Sequence, residues 1–161
     1  MTEQLSPLAL QALAVVEESG AIISANHAHP HTIRHKGRID LVTETDIAVE
    51  AFLKERLATL APQAGFLAEE SAEDLSLPDT CWIIDPVDGT TNFAHGLPLT
   101  VTSVAYRLNG EIVLGIVNAP LLHECFIAEK GKGAWRNGER ISVSSVTACE
   151  NALIATGFPY E

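Results

Sequence analysis

Basic residues are scarce in this chain: 10 Lys and Arg stand against 21 Asp and Glu, for a net charge of −11. That imbalance argues against general binding to nucleic acid or anionic membranes, since both need a basic surface. Cysteine is sparse too. Cys81, Cys125 and Cys149 are odd in number and lack zinc-like spacing, so reduced thiols and a cytoplasmic location are expected. No apolar run is read as reaching transmembrane length, and Met1-Thr2-Glu3-Gln4 has neither the basic nor the apolar part of a signal peptide. No Ser/His or Cys/His arrangement stands out as a nucleophile with its base. With no internal repeat, low-complexity tract or linker, the 161 residues at 47% hydrophobic content read as one domain, 1–161, with one substantial core.

The most informative stretch runs from Trp82 to Phe93, Trp-Ile-Ile-Asp-Pro-Val-Asp-Gly-Thr-Thr-Asn-Phe. Cys81 to Ile84 is a short apolar run bounded by turn formers, the pattern of a strand buried on both faces. Asp85 is then expected at the strand end. Pro86 cannot donate to a ladder and Asp88-Gly89 is a turn signal, so the chain is expected to leave the sheet there. Two acids three residues apart on such a turn can converge. Without a counterion they would repel, whereas Mg²⁺ takes such oxygen ligands readily and keeps places for water and phosphate. Gly89, Thr90 and Thr91 follow without bulk and can present successive amides to an anion. Taken alone, this pattern is also ordinary punctuation at the end of a strand.

Other acids add weight. Gly65 to Ala68 is a second short apolar run, and it ends in Glu69-Glu70-Ser71. Neighbouring strands could pool these carboxylates with Asp85. Further back, Asp40-Leu41-Val42-Thr43-Glu44-Thr45-Asp46 opens a helical pattern with Val49, Phe52, Leu53, Leu57 and Leu60 on one face. Thr43 or Thr45 is a candidate N-cap, which places Asp46 in the first turn, where the helix dipole favours an anion. Each acid has a simpler account, as a dipole contact or a solvated strand end. Three acidic clusters at element ends together point to a shared metal site.

With these motifs in register, the chain resembles the N-terminal part of the inositol monophosphatase family, magnesium-dependent and lithium-sensitive phosphomonoesterases. The resemblance covers nearly the whole chain. It implies that Glu69, Asp85 and the carbonyl of Val87 hold a first Mg²⁺, with Asp85 and Asp88 contributing to a second. It implies that Thr90, with Glu69, orients the attacking water, and that Asp88 and the amides of Gly89 and Thr90 meet the substrate phosphate. Asp46 resembles the acid that reaches a more weakly bound metal through water. Lys36 lies near the family's loop lysine, one residue short in its spacing to Asp40, and Ala68 stands where family members often have Gly. Such ions acidify water and stabilise the leaving alkoxide, so no covalent phosphoenzyme is required.

The resemblance also implies a further Asp, in a Trp-Asp motif opening a helix of a C-terminal domain. No Trp-Asp pair occurs in this sequence. Gly157-Phe158-Pro159 resembles the family's passage between domains, so the expectation is the metal-binding half of a phosphatase, which alone binds one Mg²⁺ weakly and hydrolyses little. Thr91-Asn92-Phe93 favours inositol monophosphate or a similar polyol or sugar phosphate as substrate. Fructose bisphosphate, histidinol phosphate and nucleotide bisphosphates are the alternatives within the superfamily, and a non-enzymatic module with an apolar docking patch is the alternative outside it. Family members commonly form homodimers.

The remaining sequence reads as scaffold. Ser6-Pro7 is expected to start a helix with Leu5, Leu8, Ala9, Ala12, Leu13 and Val16 on one stripe, ending near Gly20 or shortly after. The segment from Asn26 to Gly37 carries His27, His29, His31 and His35, and a solvated loop is favoured over a metal site. Strands are expected at Thr100 to Leu108, Ile112 to Asn118, His123 to Glu129, Gly133 to Arg136 and Ile141 to Ser144, with hairpin turns at Asn109-Gly110 and Asn137-Gly138. The predicted class is α+β: two N-terminal helices packed on a mainly antiparallel sheet, the N-terminal half of a layered inositol monophosphatase-like fold.

Overall fold

The computed structural model describes residues 5–27, 33–35, 41–71 and 77–156; Lys36, Asp40, His29, His31 and Gly157-Phe158-Pro159 lie outside them. Helix α1 (Pro7–His27) starts as the sequence predicts. Ser6 Oγ accepts the Ala9 amide at 3.2 Å, and the Ser6 amide donates to Glu129 Oε2 at 2.8 Å, tying the helix start to a distant strand. The expected end near Gly20 is overturned, because α1 continues to His27. Gly20 serves packing instead: a Cβ there would stand 2.7 Å from Asn118 Nδ2 and 2.9 Å from Pro120 Cβ. Glycine costs a helix roughly 1 kcal/mol in propensity relative to alanine, and here that cost opens a notch for Asn118, whose amide donates to Val16 O at 3.2 Å.

At 21 residues, with an 18-residue stretch of mean hydropathy 1.4, α1 is long and apolar enough by length and composition to cross a membrane, which corrects the reading that no run reaches that length. In this fold its stripe is occupied: Ala9, Ala12, Val16 and Ile23 are buried in the core, where α1 packs on α2 (Glu44–Leu60) and on the sheet. Helix α2 follows the predicted periodicity, with Val49, Leu53 and Leu57 fully buried and Phe52 and Leu60 at the margin. Between the helices, part of the expected loop is regular. Strands β1 (Ile33–His35) and β2 (Leu41–Thr43) pair antiparallel.

Among the described residues, a seven-stranded sheet runs in chain order through β3 (Gly65–Ala68), β4 (Cys81–Asp88), β5 (Val101–Leu108), β6 (Glu111–Ala119), β7 (Glu124–Glu129), β8 (Gly133–Arg136) and β9 (Glu139–Ile141). Only β3 and β4 are parallel, so the sheet is mixed and mainly antiparallel. Both Asn-Gly turns form as predicted, with Asn109 at φ 52° and Gly110 at 85°, then Asn137 at 49° and Gly138 at 80°. The last strand is shorter and earlier than the predicted Ile141 to Ser144. A 3-10 turn at Pro120–Leu122 and a left-handed His123 at φ 56° delay β7 to Glu124.

The helices cover one face of the sheet. Trp82, Ile84, Val104, Tyr106, Leu114 and Ile116 point into the shared core, and Trp82 pairs with Tyr106 across the β4–β5 register with ring centroids 4.5 Å apart. β4 is therefore not buried on both faces, as the apolar run suggested, since Ile83 and Asp85 on the alternate face are only half-buried. On that far face Val117, Phe126, Ala128 and Ile141 help to line an apolar hollow of about 240 Å³. Cys81, Cys125 and Cys149 are all free thiols.

Candidate active site

The site begins with strand register. Because β3 and β4 are parallel and Ala68 pairs with Ile84, both strands deliver their next residues to the same edge. The Glu69 amide donates to Ile84 O at 3.1 Å, which sets Glu69 beside Asp85. The pooling of carboxylates expected from the two apolar runs is thus realised.

The chain does not leave the sheet at Asp85, however. β4 continues through Pro86 and Val87 to Asp88, with a register shift against β5 between Asp85 and Asp88. Pro86 is tolerated because β3 has already ended, so on that side no partner asks for its missing N–H. Its carbonyl accepts from the buried Thr102 hydroxyl at 2.9 Å. The bulge re-aims Asp88, which is exposed, while the Val87 side chain stays buried.

Asp85 carries the chemical strain. Its Oδ1 is buried and has no hydrogen-bond partner among the described residues. Burial, followed by the charge of Glu69, a hydrogen bond shared with Glu69, and the charges of Asp88 and Asp46, pushes its pKa from 3.8 to about 8. Every one of these influences acts in the same direction. Like charges held this close keep a proton between them unless something else supplies positive charge.

Asp46 reaches the same place from the helix layer. It sits in the first turn of α2, as predicted, and is buried. The Thr90 hydroxyl stands 3.1 Å from Asp46 Oδ1 and 2.9 Å from Val87 O, and its single proton serves one of them at a time. Gly89 makes this approach possible. It is left-handed at φ 91°, caps the short helix α3 (Thr90–Ala94), and a Cβ there would meet Leu99 O at 2.8 Å. The first amides of α3 lack intrahelical acceptors by construction. Phe93 is fully buried against His27 at 5.8 Å between ring centroids, which anchors α3 to the end of α1.

The structure therefore brings together Asp46, Glu69, Asp85, Val87, Asp88, Gly89 and Thr90; Lys36 falls outside the described residues. No three His, Cys, Asp or Glu side chains among the described residues form a ready-made metal cage. The donor set nonetheless fits a hard divalent cation. All its atoms are oxygen, one is an orphaned carboxylate oxygen, and the mutual repulsion is of the kind that a cation relieves. Sequence reasoning missed Thr102 behind Pro86, and Glu50, whose Oε2 accepts the Glu70 amide at 2.8 Å. The signal for Glu50 was legible: an acid on the stripe of Val49, Leu53 and Leu57.

A model of the inositol monophosphatase family matches residues 4–161. The chain belongs to the inositol monophosphatase family. An inositol monophosphatase from Dictyostelium discoideum is 45% identical over 154 residues, covering 93% of this chain and 57% of that protein. The Nus factor SuhB of Escherichia coli is 34% identical over 160 residues, covering 98% and 60%. Among solved structures, an IMPase/NADP phosphatase complexed with Mg²⁺ and phosphate superposes with a TM-score of 0.70 at 27% identity, covering 79% of this chain and 49% of that one. The chain thus spans under two thirds of the length of these family members.

Proposed function

We propose that the protein is a magnesium-dependent phosphomonoesterase acting on inositol monophosphate or a similar polyol or sugar phosphate. The observation that carries this reading is the Asp85–Glu69 carboxyl pair, with its orphaned oxygen, beside the Gly89-Thr90 turn. Glu69, Asp85 and the Val87 carbonyl would hold a first Mg²⁺, and Asp85 and Asp88 would contribute to a second. When bound, such ions neutralise phosphate charge and acidify water.

The chain's own groups would do the rest. The Thr90 hydroxyl donates to Asp46 and so turns a lone pair outward, where a water held also by Glu69 can donate to it. As that water oxygen bonds to phosphorus and the P–O bond to the substrate alcohol breaks, the water proton would pass to Thr90 Oγ1 and the Thr90 proton to Asp46 Oδ1, while the departing alkoxide takes a proton from solvent water. The amides of Gly89 and Thr90, with Asp88 at the same turn, would orient the phosphate oxygens. The same proposal includes a cytoplasmic homodimer, and low activity for residues 1–161 on their own.

A second reading, a partner-binding module, draws on the apolar hollow of the far sheet face and on the relative named as a Nus factor. Phosphate release by the full-length protein, titrated with Mg²⁺ over a panel of inositol, fructose, histidinol and nucleotide phosphates, decides between them. No metal-dependent release from any of these refutes the phosphatase reading.

A further inference from the structure

Glu69 lies just past the end of β3 and its side chain is exposed, yet its backbone is gripped from two sides. On the sheet side its own amide bonds Ile84 O. On the helix side the next amide, that of Glu70, donates to Glu50 Oε2 at 2.8 Å, and Glu50 is only 5% exposed. The other Glu50 oxygen stands 3.9 Å from Lys54 Nζ, one turn along α2. That ammonium donates to Ser71 Oγ at 2.8 Å and lies 6.0 Å from the Phe66 ring centroid. One face of α2 thus holds β3 before Glu69 and both residues after it.

A carboxylate on an apolar helix stripe is costly unless it is bonded and paired. Here a backbone N–H and a lysine meet it, and the amide is one that β3 could no longer bond, having ended. The restraint also opposes a specific force. Glu69 and Asp85 repel as ions, and an exposed side chain on a free corner would swing into water rather than stay beside its neighbour.

We propose that Glu50, supported by Lys54 and Ser71, is a positioning residue that fixes the Glu69 corner so that Glu69 and Asp85 can share a divalent cation. The inference rests on the metal-site reading above. Glu50 touches neither metal nor substrate; it acts through the Glu70 amide.

The test uses the full-length protein without substrate, measuring Mg²⁺ affinity by calorimetry and Glu70 amide exchange by NMR in the metal-free state. Glu50→Ala should speed that exchange and weaken Mg²⁺ binding by about 10- to 100-fold, the usual cost of losing a group behind a metal ligand. Glu50→Gln keeps an oxygen acceptor and should stay within about threefold of the parent on both readouts. Faster exchange with unchanged Mg²⁺ affinity in Glu50→Ala overturns the inference, because a merely structural clamp behaves that way. Glutamine as damaging as alanine overturns it too. If Glu50→Ala does not fold, Glu50→Asp shortens the arm while keeping the charge, and the two readouts must again move together. Asp85→Asn run in parallel separates the two levels. Parent-like Mg²⁺ affinity in that variant sinks the metal reading itself, whereas a loss there with none in the Glu50 variants sinks only the positioning role.

Discussion

At the β7–β9 end of the sheet carboxylates face cations, while at the β3–β4 end carboxylates face one another. Glu111 pairs with Lys130, Glu129 with Lys132 at 3.2 Å, and Glu124 with Arg136 at 3.5 Å. Around Asp85 the neighbours are Glu69, Asp88 and Asp46, each raising its pKa. The Glu111 and Glu124 pairs are solvent-exposed and contribute little to stability, while Glu129 is half-buried and also accepts the Ser6 amide. The second arrangement, around Asp85, opposes folding in the metal-free state, the kind of perturbation that clusters at functional sites.

The sharpest way to break this contrast is Asp85→Asn. In the full-length protein, metal-dependent phosphate release should fall by more than the roughly 10- to 100-fold that loss of a supporting group costs. The metal-free protein should meanwhile melt about 2 to 4 °C higher, the shift expected for roughly 1 kcal/mol in a chain of this size. A calorimetric midpoint that drops instead would show that Asp85 is stabilising as it stands.

Next in size is a pair of glycine substitutions. Gly89→Ala puts a Cβ 2.8 Å from Leu99 O in a left-handed residue, and should cost about 1–3 kcal/mol in urea unfolding, with loss of activity. Gly138→Ala, at φ 80° with nothing within 4 Å, should cost only about 1 kcal/mol and leave activity intact. Equal costs at the two turns would remove the distinction between a crowded turn and an open one.

A third test uses pH. Asp85 has a folded pKa of about 8 against 3.8 for the free group, so the unfolded chain loses this proton first as pH rises. Its stabilising contribution is complete below about pH 3.8 and is lost as pH climbs towards 8. The thermal midpoint of metal-free protein should therefore decline across that window, and saturating Mg²⁺ should flatten the decline. The smallest effect belongs to the other end: Arg136→Met should change stability by less than about 1 kcal/mol and leave Mg²⁺ affinity untouched.

Much of this was legible from local pattern. Ser6-Pro7 gave the start of α1, the spacing of Val49, Leu53 and Leu57 gave α2, and the two Asn-Gly pairs gave their hairpins. The convergence of Glu69, Asp85 and Asp46 is legible because each acid directly follows an apolar run or opens a helix, whereas Thr90 joins them only through the family resemblance. What escaped was set by partners remote in sequence. Gly20 looks like a helix stop until Asn118 is placed against it. Pro86 looks like a strand terminator until β3 is seen to have finished before it. Lone apolar runs do not reveal which face is covered, so the half-exposure of Ile83 could not be read from Cys81 to Ile84.

The bond from the Ser6 amide to Glu129 spans 123 residues of chain. It closes a very long loop, and its consequence is felt during synthesis. α1 leaves the ribosome ahead of the sheet, and β7, to whose Glu129 its start is tied, is finished more than a hundred positions later. Until then this 21-residue apolar helix has only α2 to lie on, and its sheet-facing side is open to chaperones, membranes or other nascent chains. Slow translation between α2 and β7 should accordingly lower soluble yield more than slow translation after β9.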